Sequence, residues 1–268
     1  MSKMSQNYNF LSRPLVNYIL LSAIRDKIVI SILLIIALSL SISVYLGSAA
    51  LTEKEKFVAV YSAGGIRVAA VIGLILFITF YIRRSFESRD IDFLLSRPIS
   101  RLSFVFSHVA AFGLIAIGFC LVCSAALYPF VGGIEGNSFG LWSLSLLIEF
   151  LIMALAAMFF AMVISSAAAS ALITLGFYTL SRLIGQLVNI VASNKVGSVE
   201  ADGGFAVMGN LMQAISLFIP RLDLMAQTSW LIYGAEGVVG FSFVLYHGVI
   251  FAGFIISATI IDLLKKEF

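Results

Sequence analysis

The chain has 268 residues, of which 61% are hydrophobic and only 12% charged, with a mean hydropathy of +1.07. A soluble domain carries about a quarter charged residues, and no polar stretch here is long enough for a soluble catalytic domain, so the composition describes a polytopic membrane protein. The net charge of +3 is too small and too scattered for a nucleic-acid surface, and basic loops facing the cytoplasm account for it.

Residues 1–27 hold a polar tail, Met1 to Phe10, and a mildly amphipathic segment, Leu11 to Lys27. Ser12 and Pro14 form a helix start, since Ser caps well and Pro suits the first turn. Arg13, Asn17, Arg25, Asp26 and Lys27 are polar, while Leu15, Tyr18, Ile19 and Leu20 are not. The pattern predicts an interfacial helix in the plane of the inner leaflet. Residues 28–50 form the first span, long enough for about 30 Å of hydrocarbon. This run exceeds the roughly 7–15 apolar residues of a cleaved signal, so it reads as a retained anchor. Thr52 to Gly65 predicts a short polar connection, and residues 66–82 the second span. The third span covers 103–131 and ends at Gly132-Gly133; the fourth covers 141–164. Ser165 to Ser170 predicts a tight uncharged turn before the fifth span at 171–192. Residues 193–240 predict an outer segment. Its apolar run, Leu211 to Ile219, is too short to span and is ended by Pro220, which fits a re-entrant or surface helix. The sixth span is 241–261. The expected fold class is all-α, one domain over 1–268 with six transmembrane helices.

Charge sets the expected orientation. Lys3, Arg13, Arg25 and Lys27 precede the first span, five Arg lie between spans two and three, and Lys265 and Lys266 end the chain, so eleven of the 17 basic residues share one face. The positive-inside rule puts that face, and both termini, in the cytoplasm. The absence of an organelle-targeting segment points to a bacterial cytoplasmic membrane.

Between spans two and three lies Arg83 to Arg101, RRSFESRDIDFLLSRPISR, with eight charged side chains. Phe86, Ile91, Leu94 and Leu95 are spaced as on one helix face, and Ser96 with Pro98 repeats the helix start seen at Ser12 and Pro14. This predicts a short amphipathic helix, a break and a fresh start at the membrane surface. Glu87, then Asp92-Phe93-Leu94-Leu95-Ser96, then Arg97-Pro98-Ile99-Ser100-Arg101, resembles the signature between the second and third spans of ABC-2 type permeases, the membrane subunits of ATP-binding-cassette transporters. The match is close over about twenty residues; elsewhere the agreement is one of layout. Where that family usually has Gly-Lys opening the next span, this chain has Ser107-His108. Pro220-Arg221-Leu222-Asp223 is similar to the Pro-x-x-Asp often found before the last span of such permeases, a weaker likeness.

The resemblance implies a permease domain, expected to export, that forms its path as a homodimer or heterodimer. It implies a cassette ATPase subunit docked on a cytoplasmic coupling helix at 83–101. Phe86, Ile91, Leu94, Leu95 and Pro98 would then seat against the ATPase, while Glu87, Arg97 and Arg101 supply orienting ion pairs. Burial of Leu94 and Leu95 under the protein's own first helix is the alternative. The chain has no G-x-x-x-x-G-K-[ST] phosphate loop, so ATP and Mg would belong to the partner and this chain would be no enzyme.

Two charges inside spans point to a site. Glu149 and Arg182 fall some 12–15 Å below the outer ends of spans four and five at roughly 1.5 Å per residue, level enough to pair. Such residues face a partner or a watery cavity, so the pair either fixes helix packing or lines a substrate path. Should the fifth span end earlier, Arg182 is interfacial instead. Cys120 and Cys123 form a C-x-x-C without neighbouring ligands and read as packing residues. His108 and His247 lie near span ends, where surface or packing roles suit them. Gly73 with Ala69 suggests close helix packing. A secondary carrier or a non-transporting membrane scaffold is the rival reading, although a carrier would show intramembrane acidic pairs, broken helices at the midplane or an inverted repeat.

Overall fold

The computed structural model describes residues 11–49, 53–88, 101–131, 136–197, 218–235 and 239–265, with the backbone alone for 49, 136 and 187–197. Among these residues every regular element is helical. Six helices are long and apolar enough to cross a membrane, and the chain is an all-α, multi-pass membrane protein.

Helix α1 (Arg13–Arg25) starts at Ser12 with Pro14 in its first turn. Ser12 uses its backbone N–H, which donates to Ser107 Oγ at 2.8 Å. Leu15, Val16, Ile19 and Ala23 are buried, so this amphipathic helix spends its apolar face on the protein's own core. Asp26 then breaks the helix in an extended conformation. Its carboxylate accepts the Ile28 N–H at 2.8 Å and so caps α2 (Lys27–Ala49), satisfying one of the free N–H groups of the first turn.

Helix α3 (Lys54–Glu87) corrects the expected polar connection at 52–65: the second span begins twelve residues earlier than residue 66. Glu53-Lys54-Glu55-Lys56 looked like a loop because it is charged, yet Glu and Lys are good helix formers. Behind them Val58, Ala59, Ser62, Ala63 and Ile66 are buried at helical spacing. Helix α4 (Arg101–Leu127) runs into a 3₁₀ turn at Tyr128–Phe130, where Pro129 ends the α-helical ladder. Helix α5 (Gly136–Val163) starts earlier than expected, as does α6 (Ala167–Gly197). The turn between them shrinks to 164–166 because Ser166 begins α6: its carbonyl accepts Ser170 N–H at 3.0 Å. Helix α6 also runs on past residue 192. After a 3₁₀ turn at Leu222–Leu224 and the four-residue α7 (Trp230–Tyr233), helix α8 (Phe241–Lys265) closes the chain.

Helix α5 is the axis, packed by α3, α4, α6 and α8. Helix α2 leans mainly on α3, and the approach is close at Gly73, where an added Cβ would collide with the Ile32 side chain. Small residues permit such contacts between spans. One end of the bundle gathers α1, the end of α3 and both Asp26 and Arg84, which stand 3.8 Å apart. At the same end Arg101 Nη1 donates to the carbonyls of Leu263 at 3.0 Å and Leu264 at 3.3 Å. These belong to the last turn of α8, whose carbonyls have no partner within the helix.

Candidate functional site: a charged centre around a re-entrant segment

Pro220 lacks an N–H and cannot continue a helix, and the chain after it turns into the bundle. Leu222, Met225, Ala226, Trp230 and Leu231 are all buried. Of the segment expected at 193–240, residues 193–197 belong to α6 and 218–235 pack inward against α3, α5 and α6. The expected helix at Leu211 to Ile219 lies outside the described residues up to 217. Burying Leu222 to Ala226 takes irregular backbone into the protein, and at membrane depth each peptide group there must find a partner within the protein.

Three side chains from three spans supply those partners. Arg182, halfway along α6, donates from Nη1 to the carbonyls of Leu222 at 2.6 Å and Met225 at 2.8 Å. From Nη2 it pairs with Glu149 Oε2, halfway along α5. The two side chains are 16% and 0% exposed. Arg67 of α3 donates from Nη1 to the Ala226 carbonyl at 2.6 Å. Ser145 of α5 accepts the Ala226 N–H at 2.9 Å while donating to the Trp142 carbonyl at 2.8 Å. Ala226 is thus gripped from both sides, and it has φ of +46°. That left-handed conformation is strained for a residue with a Cβ by about 1–2 kcal/mol, and strain of this kind persists only where the surroundings enforce it.

The flanks are tied as well. Arg221 N–H donates to His247 Nε2 at 3.1 Å, and the Arg221 guanidinium pairs with Asp223 at 2.9 Å. Asp223 lies on the bare backbone of Gly185, where any Cβ would collide with the carboxylate. Gln227 Nε2 reaches the Asp223 carbonyl at 3.1 Å, and Ala235 N–H donates to Ser138 Oγ at 3.1 Å.

Electrostatics bind the group into one unit. Tyr178 of α6 interacts with Arg67, Glu149 and Arg182 together. Taking charges out of water costs several kcal/mol per ion unless they are paired and hydrogen-bonded, and here the Glu149–Arg182 pair and three backbone carbonyls provide that. Yet Glu149 Oε1, Arg67 Nε and Arg182 Nε are buried without a hydrogen-bond partner among the described residues. Buried polar atoms are nearly always satisfied, so these three mark where the hydrogen bonding of the cluster is incomplete among the described residues.

Of the residues singled out from the sequence, Glu149 and Arg182 are brought together. Glu87 is exposed at the end of α3. Phe86 packs partly buried against the core, with the Arg83 guanidinium 5.5 Å from its ring centre. Arg101 turns to the end of α8. Ile91, Leu94, Leu95, Arg97 and Pro98 lie outside the described residues. Cys120 and Cys123 are buried and free, and Cys120 donates to the Ser143 carbonyl at 3.4 Å. His108 is buried between Phe104 and Phe112. Arg67, Tyr178, Ser145 and the Leu222–Ala226 backbone were missed as members of the site. Arg67 was visible as an arginine inside an apolar helix, and Pro220-Arg221-Leu222-Asp223 as a helix stop rich in charge; nothing in either stretch says that they meet. No protein-family model matches the chain, and no curated protein matches it in sequence.

Proposed function

We propose that the chain is the permease subunit of an ABC transporter, an exporter whose membrane path forms as a dimer and is driven by a separate ATPase. The observation that carries this reading is the run from Glu87 through Asp92 to Arg101, which resembles the coupling segment of ABC-2 permeases. Under this reading the basic end of the bundle faces the cytoplasm of a bacterial inner membrane. Leu94 and Leu95 seat against the ATPase, Arg97 supplies an orienting ion pair, and ATP and Mg stay in the partner. Phe86, Ile91 and Pro98 belong to the same docking surface and Glu87 and Arg101 to the orienting ion pairs, with Arg101 also holding the end of α8.

The feet of the segment give it mechanical purchase. Helix α3 is unbroken from Lys54 to Glu87, so a push at its Glu87 end travels to Arg67 and through it to the Ala226 carbonyl. On the other side Arg101 passes the same push to the end of α8. ATP-driven closure of two ATPases would then rotate α3 and α4 against α5 and act on the charged centre. The test is to look for a cassette ATPase reading frame next to that of this chain and to co-express the two. The two co-purify, and Leu94→Asp abolishes the complex while the chain still inserts; an undiminished Leu94→Asp complex would contradict the docking assignment.

A secondary carrier is the second reading, and one observation favours it. Irregular backbone beside buried charges, as at Leu222–Ala226, is how carriers build their sites. Uptake or release by vesicles holding this chain alone, driven by an ion gradient without ATP, would select the carrier.

A further inference from the structure

A groove of about 700 Å³ runs between α2 and α3 and ends at the charged centre. Its walls are apolar: Ile35, Leu38, Ile42, Tyr61 and Val68 line it, and all five are exposed on the outside of the bundle. At its inner end stand Arg67 and Thr228. The size falls within the roughly 300–1,000 Å³ of small-molecule clefts. We propose that this groove binds an anionic amphiphile, with its acidic headgroup on Arg67 and its tail along the α2–α3 wall.

Charge complementarity selects the occupant. Glu149 is taken by Arg182 and Asp223 by Arg221. Among the described residues no carboxylate lies within ion-pair distance of Arg67, which spends Nη1 on a neutral carbonyl and leaves Nε without a partner. Arg67 shares the single carboxylate of Glu149 with Arg182 and meets Tyr178 besides, so the cluster keeps one positive charge in excess; such a charge costs several kcal/mol at this depth, and an arriving anion offsets it. Among its described residues a second copy of this chain has no acid to offer at that depth. Glu149 is the one carboxylate away from the ends of its six candidate spans, and it faces inward. A water-soluble anion would have to pass an apolar, lipid-facing wall, whereas an amphiphile enters along that wall with its tail still in hydrocarbon.

The depth of Arg67 carries a further consequence. It stands level with the middle of α5 and α6, bound to the same segment as Arg182. Resident lipids keep their headgroups at the surface, so an acidic head on Arg67 belongs to a molecule part way across. That transport sense rests on the permease reading above and names its substrate class; the binding itself needs no ATPase.

The test uses the full chain in vesicles of phosphatidylcholine containing a trace of photoreactive phosphatidylglycerol or, in a parallel arm, photoreactive phosphatidylcholine with the same tail. The acidic probe should label peptides covering 35–42 and 60–69, and the zwitterionic probe should not. Arg67→Gln should lower labelling about tenfold or more, the worth of one charge-assisted contact, and Arg67→Lys should restore part of it. Because Arg67→Gln also frees the Ala226 carbonyl, Gly64→Leu serves as the second variant. Gly64 lines the groove and a Cβ there meets nothing within 4 Å, so the new side chain fills the groove without strain and should block labelling. Equal labelling by both probes, labelling indifferent to Arg67→Gln and Gly64→Leu, displacement by glycerol phosphate alone, or a Leu38→Cys disulfide between two copies that closes the groove would each overturn the proposal. A negative result here leaves co-purification with the ATPase untouched, and the reverse also holds.

Discussion

Helices α5 and α2 are similarly apolar and both long enough to span, yet 72% of the apolar window of α5 is buried inside the protein against 17% for α2. What separates them is the placement of polar and small residues. In α5, Ser138, Ser145 and Glu149 are buried and each holds a group on another element. In α2, Ser31 and Ser41 only return a bond to their own helix, to the carbonyls of Lys27 and Ala37. Apolar composition takes a helix into the membrane, where lipid tails compete equally for its side chains; polar contacts and close approaches decide which helix becomes the centre. Helix α5 is therefore fixed from several sides, and α2 chiefly along one seam.

The comparison is broken most severely at Glu149. Glu149→Leu leaves Arg182 buried without its counter-charge and should cost about 3–5 kcal/mol, read as a large fall in unfolding temperature in detergent. Arg182→Leu should cost at least as much, because the Leu222 and Met225 carbonyls also lose their donor. The double variant should be more stable than Arg182→Leu alone, since neither member of the pair is then left without the other; losses that simply add would show that the pair is not coupled. Gly185→Val comes next. Its side chain must displace Asp223, an overpacking that costs about 1–3 kcal/mol, and a Gln227→Cys reporter in the same chain should react faster with a water-soluble maleimide.

Gly73→Leu sharpens the contrast at the seam. Overpacking against Ile32 should again cost about 1–3 kcal/mol, but it should loosen α2 alone. The Gln227→Cys reporter should keep its original rate, and adding Ile32→Ala should recover part of the loss. Were Gly73→Leu to expose Gln227→Cys as well, the two regions would be one unit. The smallest effect is expected at Ala226→Gly, which removes the strain of the left-handed conformation and should stabilise by about 1 kcal/mol, seen as a slightly higher unfolding temperature.

The spans were legible because twenty-residue apolar runs have no other stable home. Their ends were less so. Glu53 to Lys56 reads as a loop by charge and folds as a helix start by propensity, and 167–170 reads as a turn while Ser166 nucleates a helix. The Glu149–Arg182 level could be counted along two helices at a fixed rise per residue. Arg67 could not be added to it by counting, because the contact runs through the backbone of residues 222–226, more than 150 positions away, and backbone carbonyls carry no sequence signature. Phe86 shows a related limit: it packs partly buried against the core, and its spacing fixes a helix face but not what covers that face.

The central claim is that the chain after Pro220 enters the bundle and sits against α5 beside the paired charges. Disulfide trapping of Ser145→Cys with Ala226→Cys, in a chain carrying Cys120→Ala and Cys123→Ala, tests it directly in native membranes. The account predicts rapid crosslinking within one chain, since the Ala226 N–H and Ser145 Oγ stand 2.9 Å apart. An uncrosslinked chain in which Ala226→Cys reacts freely with a membrane-impermeant maleimide would contradict it.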